Sequence, residues 1–195
     1  MINAQESLER LKRGHEAFKL HEPIPVPSEA LLKDLALHGQ HPFAVVVTCS
    51  DSRVVPEYIF HALPGDIFTI RTAGQVISDI EMGSIEYAVD HLGARLIVVL
   101  GHTHCGAVHG ACEPHENCSC QLGALLSLVE PSVNAARAQC CGHHELASKA
   151  EDIHIENMVK AIRSNDLMMR VKDVGLVGAK YDIETGSVVY WNWES

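Results

Sequence analysis

The segment "VVVTCSDSRVVPE" (45–57) sets Cys49, Asp51 and Arg53 at alternate positions directly after a run of β-branched residues. In an extended chain, residues i, i+2 and i+4 share a face, so a thiol, a carboxylate and a guanidinium can converge there. Further on, "GHTHCGAVHGA" (101–111) places His102 and Cys105 three apart, after another apolar run and before a helical pattern. Two thiolates and one imidazole are borderline-soft ligands that suit Zn2+. Three protein ligands leave a fourth position open, which is the arrangement of a catalytic rather than a structural zinc. Asp51 would lie beside such a metal, accepting a hydrogen bond from its water or taking the fourth position itself in a closed state. Arg53 offers a planar fork that matches a carboxylate bidentately and can hold Asp51 back. The three residues read as ligand, gate and latch.

These residues need elements that bring two strand ends together. "FAVVVT" (43–48), "DIFTIR" (66–71) and "RLIVVLG" (95–101) are near-continuous apolar runs, as expected of strands buried on both faces. Between the last two, residues 78–93 repeat apolar side chains at helical spacing (Ile80, Ile85, Ala88, Val89, Leu92), and "GALLSLVEPSVNAARAQ" and "HIENMVKAIRSNDLMMRV" continue helical. The alternation predicts an α/β fold with a mainly parallel central sheet, right-handed crossovers and flanking helices. The tail reads as two strands around "DIETGS", adding an antiparallel edge strand. In such sheets ligands gather at the carboxyl edge of the strands, where Cys49 and His102 both lie. Residues 1–40 read as an N-terminal helical arm of two helices parted by the extended "HEPIPVPSE", suited to dimerisation. Residues 41–195 form the zinc-binding catalytic unit, the whole being a single domain.

Composition narrows the classes. The chain has 195 residues, 47% of them hydrophobic, with a mean hydropathy of +0.05, which is globular. A formal net charge of −10 argues against nucleic acid and anionic membranes, both of which need a basic face. No apolar run approaches the ~20 residues of a membrane span, and "MINAQESLERLKRGHEAFK" lacks the apolar centre of a secretory signal. Seven cysteines, an odd count, fit reduced thiols and metal ligation better than a disulfide framework, and the expected compartment is the cytoplasm. Cys112, Cys118 and Cys120, with Cys140 and Cys141, match no standard zinc knuckle and read as reduced thiols on a variable loop. His109 reads as a proton shuttle or a helix-packed side chain, while His15, His21, His38 and His154 acquire no role.

"CSDSRV" followed by "GHTHCGA" resembles the β-class carbonic anhydrases, whose signature is C-x-D-x-R and H-x-x-C. "LPGDIFTIRTAGQ", "SIEYAVDHLG" and "VGAKYDIETGSVVYW" extend the resemblance from about Gln40 to Trp191. It implies reversible hydration of CO2 to bicarbonate and a proton by attack of zinc-bound hydroxide. It also implies one Zn2+ per chain on Cys49, His102 and Cys105, with Asp51 and Arg53 as gating dyad, in a homodimer or dimer of dimers. Gln40, in "HGQHP", is implied as a hydrogen-bond donor to substrate, reached across a dimer interface. Phe68 and Tyr87 are implied as apolar pocket residues and Gly106 as a backbone donor. Without the resemblance, Tyr87 reads as core. The sequence departs from relatives at "RTAGQ", where many carry "RNAGN", and at Val46, where a bicarbonate-inhibited subgroup carries tryptophan. Two alternatives stand beside this reading: a related zinc hydrolase of CS2 or COS, and a non-catalytic zinc-binding protein.

Overall fold

The computed structural model describes residues 2–115, 118–139 and 143–192. Helix α1 (Ala4–Lys19) opens on a capping box between Asn3 and Glu6 and buries Leu8, Leu11 and His15. It lies so close to the chain after α3 that a Cβ at Gly14 would overlap the Phe60 carbonyl. Helix α2 (Glu29–His38) starts at Ser28, whose hydroxyl accepts the Leu31 N–H, and stops at Gly39 with φ +80°. It buries no residue of its own, and Leu32 and Leu37 stay exposed.

The chain continues as β1 (Ala44–Cys49), α3 (Pro56–Ile59), β2 (Ile67–Thr72), α4 (Asp79–Asp90), β3 (Leu96–His102), α5 (Gly106–Cys112), α6 (Cys120–Arg137), α7 (His143–Arg163), α8 (Asp166–Arg170), β4 (Gly175–Tyr181) and β5 (Val188–Asn192). The five strands form one sheet in the order β2-β1-β3-β4-β5. Pairing is parallel throughout except between β4 and β5. Both central strands, β1 and β3, are buried along their full length, which explains their uninterrupted apolar sequence.

Alternate strand residues feed two cores. Ala44, Val46, Leu96 and Val98 pack with Leu8, Leu11 and Ile59 beneath α1 and α3. Val45, Val47, Ile97 and Val99 pack with Ile85 and Val89 of α4 and Ile155, Val159 and Ile162 of α7. A third cluster, made by α5, α6 and α7, closes over the carboxyl edge and includes Cys49 and Cys105.

Two local expectations change. The helix expected through residue 171 breaks at Asn165, whose side chain accepts the Leu167 N–H and starts α8. Ile80, counted in the apolar stripe of α4, is 77% exposed. The tail forms the two expected strands: β4 joins β3 in parallel, and β5 adds the expected antiparallel edge. Among the described residues no helix is long and apolar enough to cross a membrane.

Candidate metal centre

Three strand and helix ends meet at the carboxyl edge. Cys49 is the last residue of β1, His102 the last of β3, and Cys105 the N-cap of α5. Their ligand atoms all lie within 4.8 Å of one another, and all three residues are buried. The two sulfurs are 4.0 Å apart; two thiolates on one tetrahedral zinc, at about 2.3 Å each, stand about 3.8 Å apart. His102 Nδ1 donates to the carbonyl of Thr103 at 2.9 Å, which leaves Nε2 as the lone-pair nitrogen. That Nε2 is buried with no hydrogen-bond partner. An orphaned imidazole nitrogen is costly to bury unless something binds it, and the donor set fits Zn2+.

The sulfurs sit among N–H groups. Cys49 Sγ accepts from Gly74 N at 3.2 Å and Asp51 N at 3.4 Å. The Cys105 thiol donates to Cys49 and, against the penalty of burial, holds it at about 4, with those two N–H groups adding to the effect. Cys105 is pushed up by the same hydrogen bond and by burial. The pair thus shares one proton, which a metal would displace.

Asp51 is turned away from the cluster and onto Arg53. Its Oδ1 accepts from Arg53 N and Nε, both at 2.9 Å, and its Oδ2 from Arg53 Nη2 at 2.7 Å. The Arg53 side chain holds the carboxyl at about 2, against some desolvation. Arg53 also donates to the His104 carbonyl at 3.2 Å, tying the latch to the loop between His102 and Cys105.

Gln40, Phe68 and Tyr87 lie elsewhere in the chain. Gln40 is exposed before the start of β1. Phe68 pairs with Val45, whereas Cys49 pairs with Thr72, so Phe68 is about 13 Å along the strand from the metal end. Phe68 and Tyr87 do meet each other, with ring centroids 6.3 Å apart. Tyr87 is 49% exposed, which overturns the reading of it as core. Gly106 opens α5 directly after Cys105, with nothing near its Cα that a side chain would meet.

Four residues at the site escaped the sequence reading. Arg71 donates to the carbonyls of Cys49 and Asp51, at 3.2 and 2.8 Å, and so fixes the strand end. Gly74, with φ +69°, supplies the N–H on Cys49 within "RTAGQ". Glu151, buried on α7, accepts the Cys105 N–H at 3.1 Å and pairs with Lys180 at 2.9 Å. His154, one turn further along α7, is fully buried. A glutamate and a histidine on the apolar stripe of α7 were the available signal. His109 is exposed, its Nε2 3.8 Å from Glu151. Cys112, Cys118 and Cys120 are free thiols, and the triad is the one metal-competent group among the described residues. Cys140 and Cys141 lie outside the described residues.

Fold and site together define an α/β protein with a buried Cys-His-Cys cluster, able to hold a metal, at the carboxyl edge of a mainly parallel sheet. Residues 44–188 match the family model described as carbonic anhydrase. Carbonic anhydrase 2 of Mycobacterium tuberculosis is 36% identical over 187 residues, covering 92% of this chain and 88% of that protein. The solved structure of the β-carbonic anhydrase CcaA superposes with a TM-score of 0.76 at 29% identity, covering 94% of each chain. The chain belongs to the β-class carbonic anhydrase family. The apo form of a carbon disulfide hydrolase lies further off, with a TM-score of 0.55 at 23% identity over 81% of this chain and 85% of that one. That likeness concerns the fold alone.

Proposed function

We propose that the protein catalyses the reversible hydration of carbon dioxide to bicarbonate and a proton, with one Zn2+ per chain on Cys49, His102 and Cys105. The observation that carries this is an orphaned His102 Nε2 facing two closely spaced thiols, while the neighbouring Asp51 is held on Arg53. A Zn2+ ion bound there supplies the Lewis acidity that brings the pKa of a water from 15.7 to near 7. Asp51, anionic through its pairing with Arg53, accepts a hydrogen bond from the reacting water and so aims the oxygen lone pair at carbon. Arg53 keeps both carboxylate oxygens tethered, which stops Asp51 from competing for the metal. The N–H of Gly106, at the start of α5, donates to the oxygen that gains charge as bicarbonate forms.

Gln40, Phe68 and Tyr87 enter this site from a second copy. β2 is an edge strand, and its Phe68 end and Thr72 end are about 13 Å apart. A two-fold contact that lays two β2 strands side by side in opposite directions carries the partner's Phe68 towards this chain's metal end. The exposed Leu32 and Leu37 of α2 then serve the arm in covering the partner. A homodimer, alone or paired with another, is the unit this reading requires. The free thiols of the described cysteines support a reducing, cytoplasmic setting.

The test is zinc stoichiometry measured together with CO2 hydration at mildly acid and alkaline pH, and CS2 hydrolysis assayed alongside. One zinc per chain with hydration that rises with pH is the expected result. A metal-loaded protein without hydration activity at either pH, or one that turns over CS2 instead, overturns it.

A further inference from the structure

Behind the metal centre runs a chain of buried and half-buried hydrogen bonds whose polarity can be assigned throughout. Asn157 Nδ2 on α7 donates to Ser132 Oγ on α6 at 2.9 Å, and an amide nitrogen can only donate. Ser132 Oγ lies 3.1 Å from His154 Nδ1. His154 Nε2 lies 2.8 Å from the carbonyl oxygen of Gly74, which can only accept. The imidazole hydrogen therefore sits on Nε2, and Nδ1 accepts from the serine hydroxyl. Burial lowers the pKa of the ring, against the opposing pull of the Gly74 carbonyl, in the direction this pattern requires.

The chain ends on a residue that itself touches the centre. Gly74 lies in the turn at residues 73–75, at φ +69°, and its N–H donates to Cys49 Sγ at 3.2 Å. Gln75 beside it is also left-handed, at φ +44°, a conformation disfavoured for a residue with a Cβ. A turn of this kind needs outside support, and the Thr72 hydroxyl on Val76 O and the His154 ring on Gly74 O supply it. A Cβ on Gly74 would stand 3.0 Å from that of Ala107, so the turn is also pressed against α5.

We infer that His154 is a positioning residue of the metal centre, holding the Gly74 turn so that its N–H stays on the Cys49 sulfur. This rests on the reading that Cys49, His102 and Cys105 bind Zn2+. An N–H on a thiolate withdraws charge from it, lowers its proton affinity and fixes its lone pairs. Groups that orient metal ligands in this way commonly change metal affinity by about 10- to 100-fold when removed.

The test uses the full-length protein with three substitutions: His154→Leu, His154→Gln and Ser132→Ala. Zinc affinity is read by competition with a chromophoric chelator, the thiolate-to-cobalt charge-transfer band in Co2+-loaded protein, and stability by urea unfolding. His154→Leu is expected to raise the zinc Kd about tenfold or more and to move the band to lower energy. His154→Gln, whose amide nitrogen can donate to Gly74 O, returns both towards the native values. Ser132→Ala shifts both in the same direction as His154→Leu, by less. A His154→Leu protein that is merely less stable, with Kd and band unchanged, overturns the inference and leaves His154 as core packing. Should that variant not fold, Ser132→Ala decides by the same two readouts: a shift supports the inference, and none overturns it. Native protein that binds no zinc and shows no thiolate band fails at the metal reading instead, which keeps the two failures distinct.

Discussion

Asp51→Asn is the sharpest probe of the gate. Arg53 directs three donors at two carboxylate oxygens, at 2.7 to 2.9 Å. Asparagine keeps one acceptor oxygen. Placed where Oδ1 was, it retains the bonds from Arg53 N and Nε, but its amide then faces Arg53 Nη2 donor to donor. Stability should change little, because the Arg53 side chain is half exposed and solvent screens the pair. Zinc content should also stay near one per chain, since Asp51 is not part of the ligand cluster. Activity should fall steeply, because the anionic acceptor that orients the reacting water is gone. A positioned acid or base contributes about 10²- to 10⁴-fold, equivalent to about 3–5 kcal/mol of barrier. Stopped-flow CO2 hydration on metal-analysed protein reads the effect. Full activity at full zinc occupancy refutes the acceptor role, and loss of zinc in step with activity shows that Asp51 was holding the metal.

His15 donates from Nδ1 to the Ile59 carbonyl and accepts the Val188 N–H on Nε2, and burial holds its pKa down, partly offset by the bond to Ile59. With the folded pKa below 6.5, its contribution is fully present above 6.5 and is lost as pH falls through the folded value; urea midpoints should drop less between about pH 6.5 and 5 in His15→Gln than in the native protein. A Cβ at Gly101 would stand 2.5 Å from two atoms of Ile155, so Gly101→Ala should destabilise by about 1–3 kcal/mol in urea unfolding, through overpacking between β3 and α7. Leu11, fully buried on the inner face of α1, should cost about 2–5 kcal/mol when changed to alanine, and an unchanged midpoint would mean that α1 is not docked as described. If the pocket is shared between copies, mixing Cys49→Ala chains with Phe68→Ala chains should restore hydration to about a quarter of native, because half of the dimers then carry one intact site. Activity no higher than the average of the two parents would place Phe68 outside the partner's site.

Much of the chemistry could be read along the chain because it is local. Cys49 ends β1 and Asp51 and Arg53 sit in the turn that follows rather than in an extended segment, so their link spans only two residues. His102 and Cys105 straddle one strand-to-helix turn. A parallel sheet then brings both strand ends to the same edge whatever the details of packing, so the triad followed from topology. The apolar stripe of α7 likewise announced a buried helix. It could not say what its polar members would meet.

Those partners were decided by how the helices dock. His154 reaches Gly74 across 80 residues of sequence, and Glu151 reaches Cys105 across 46. The distance between Phe68 and the metal end depends on strand register. Side-chain type and spacing determine which atoms can bind a metal. Which distant backbone groups then hold those atoms in place depends on the rotation and depth of α7 against the sheet, which many weak apolar contacts set jointly and no short stretch of sequence encodes.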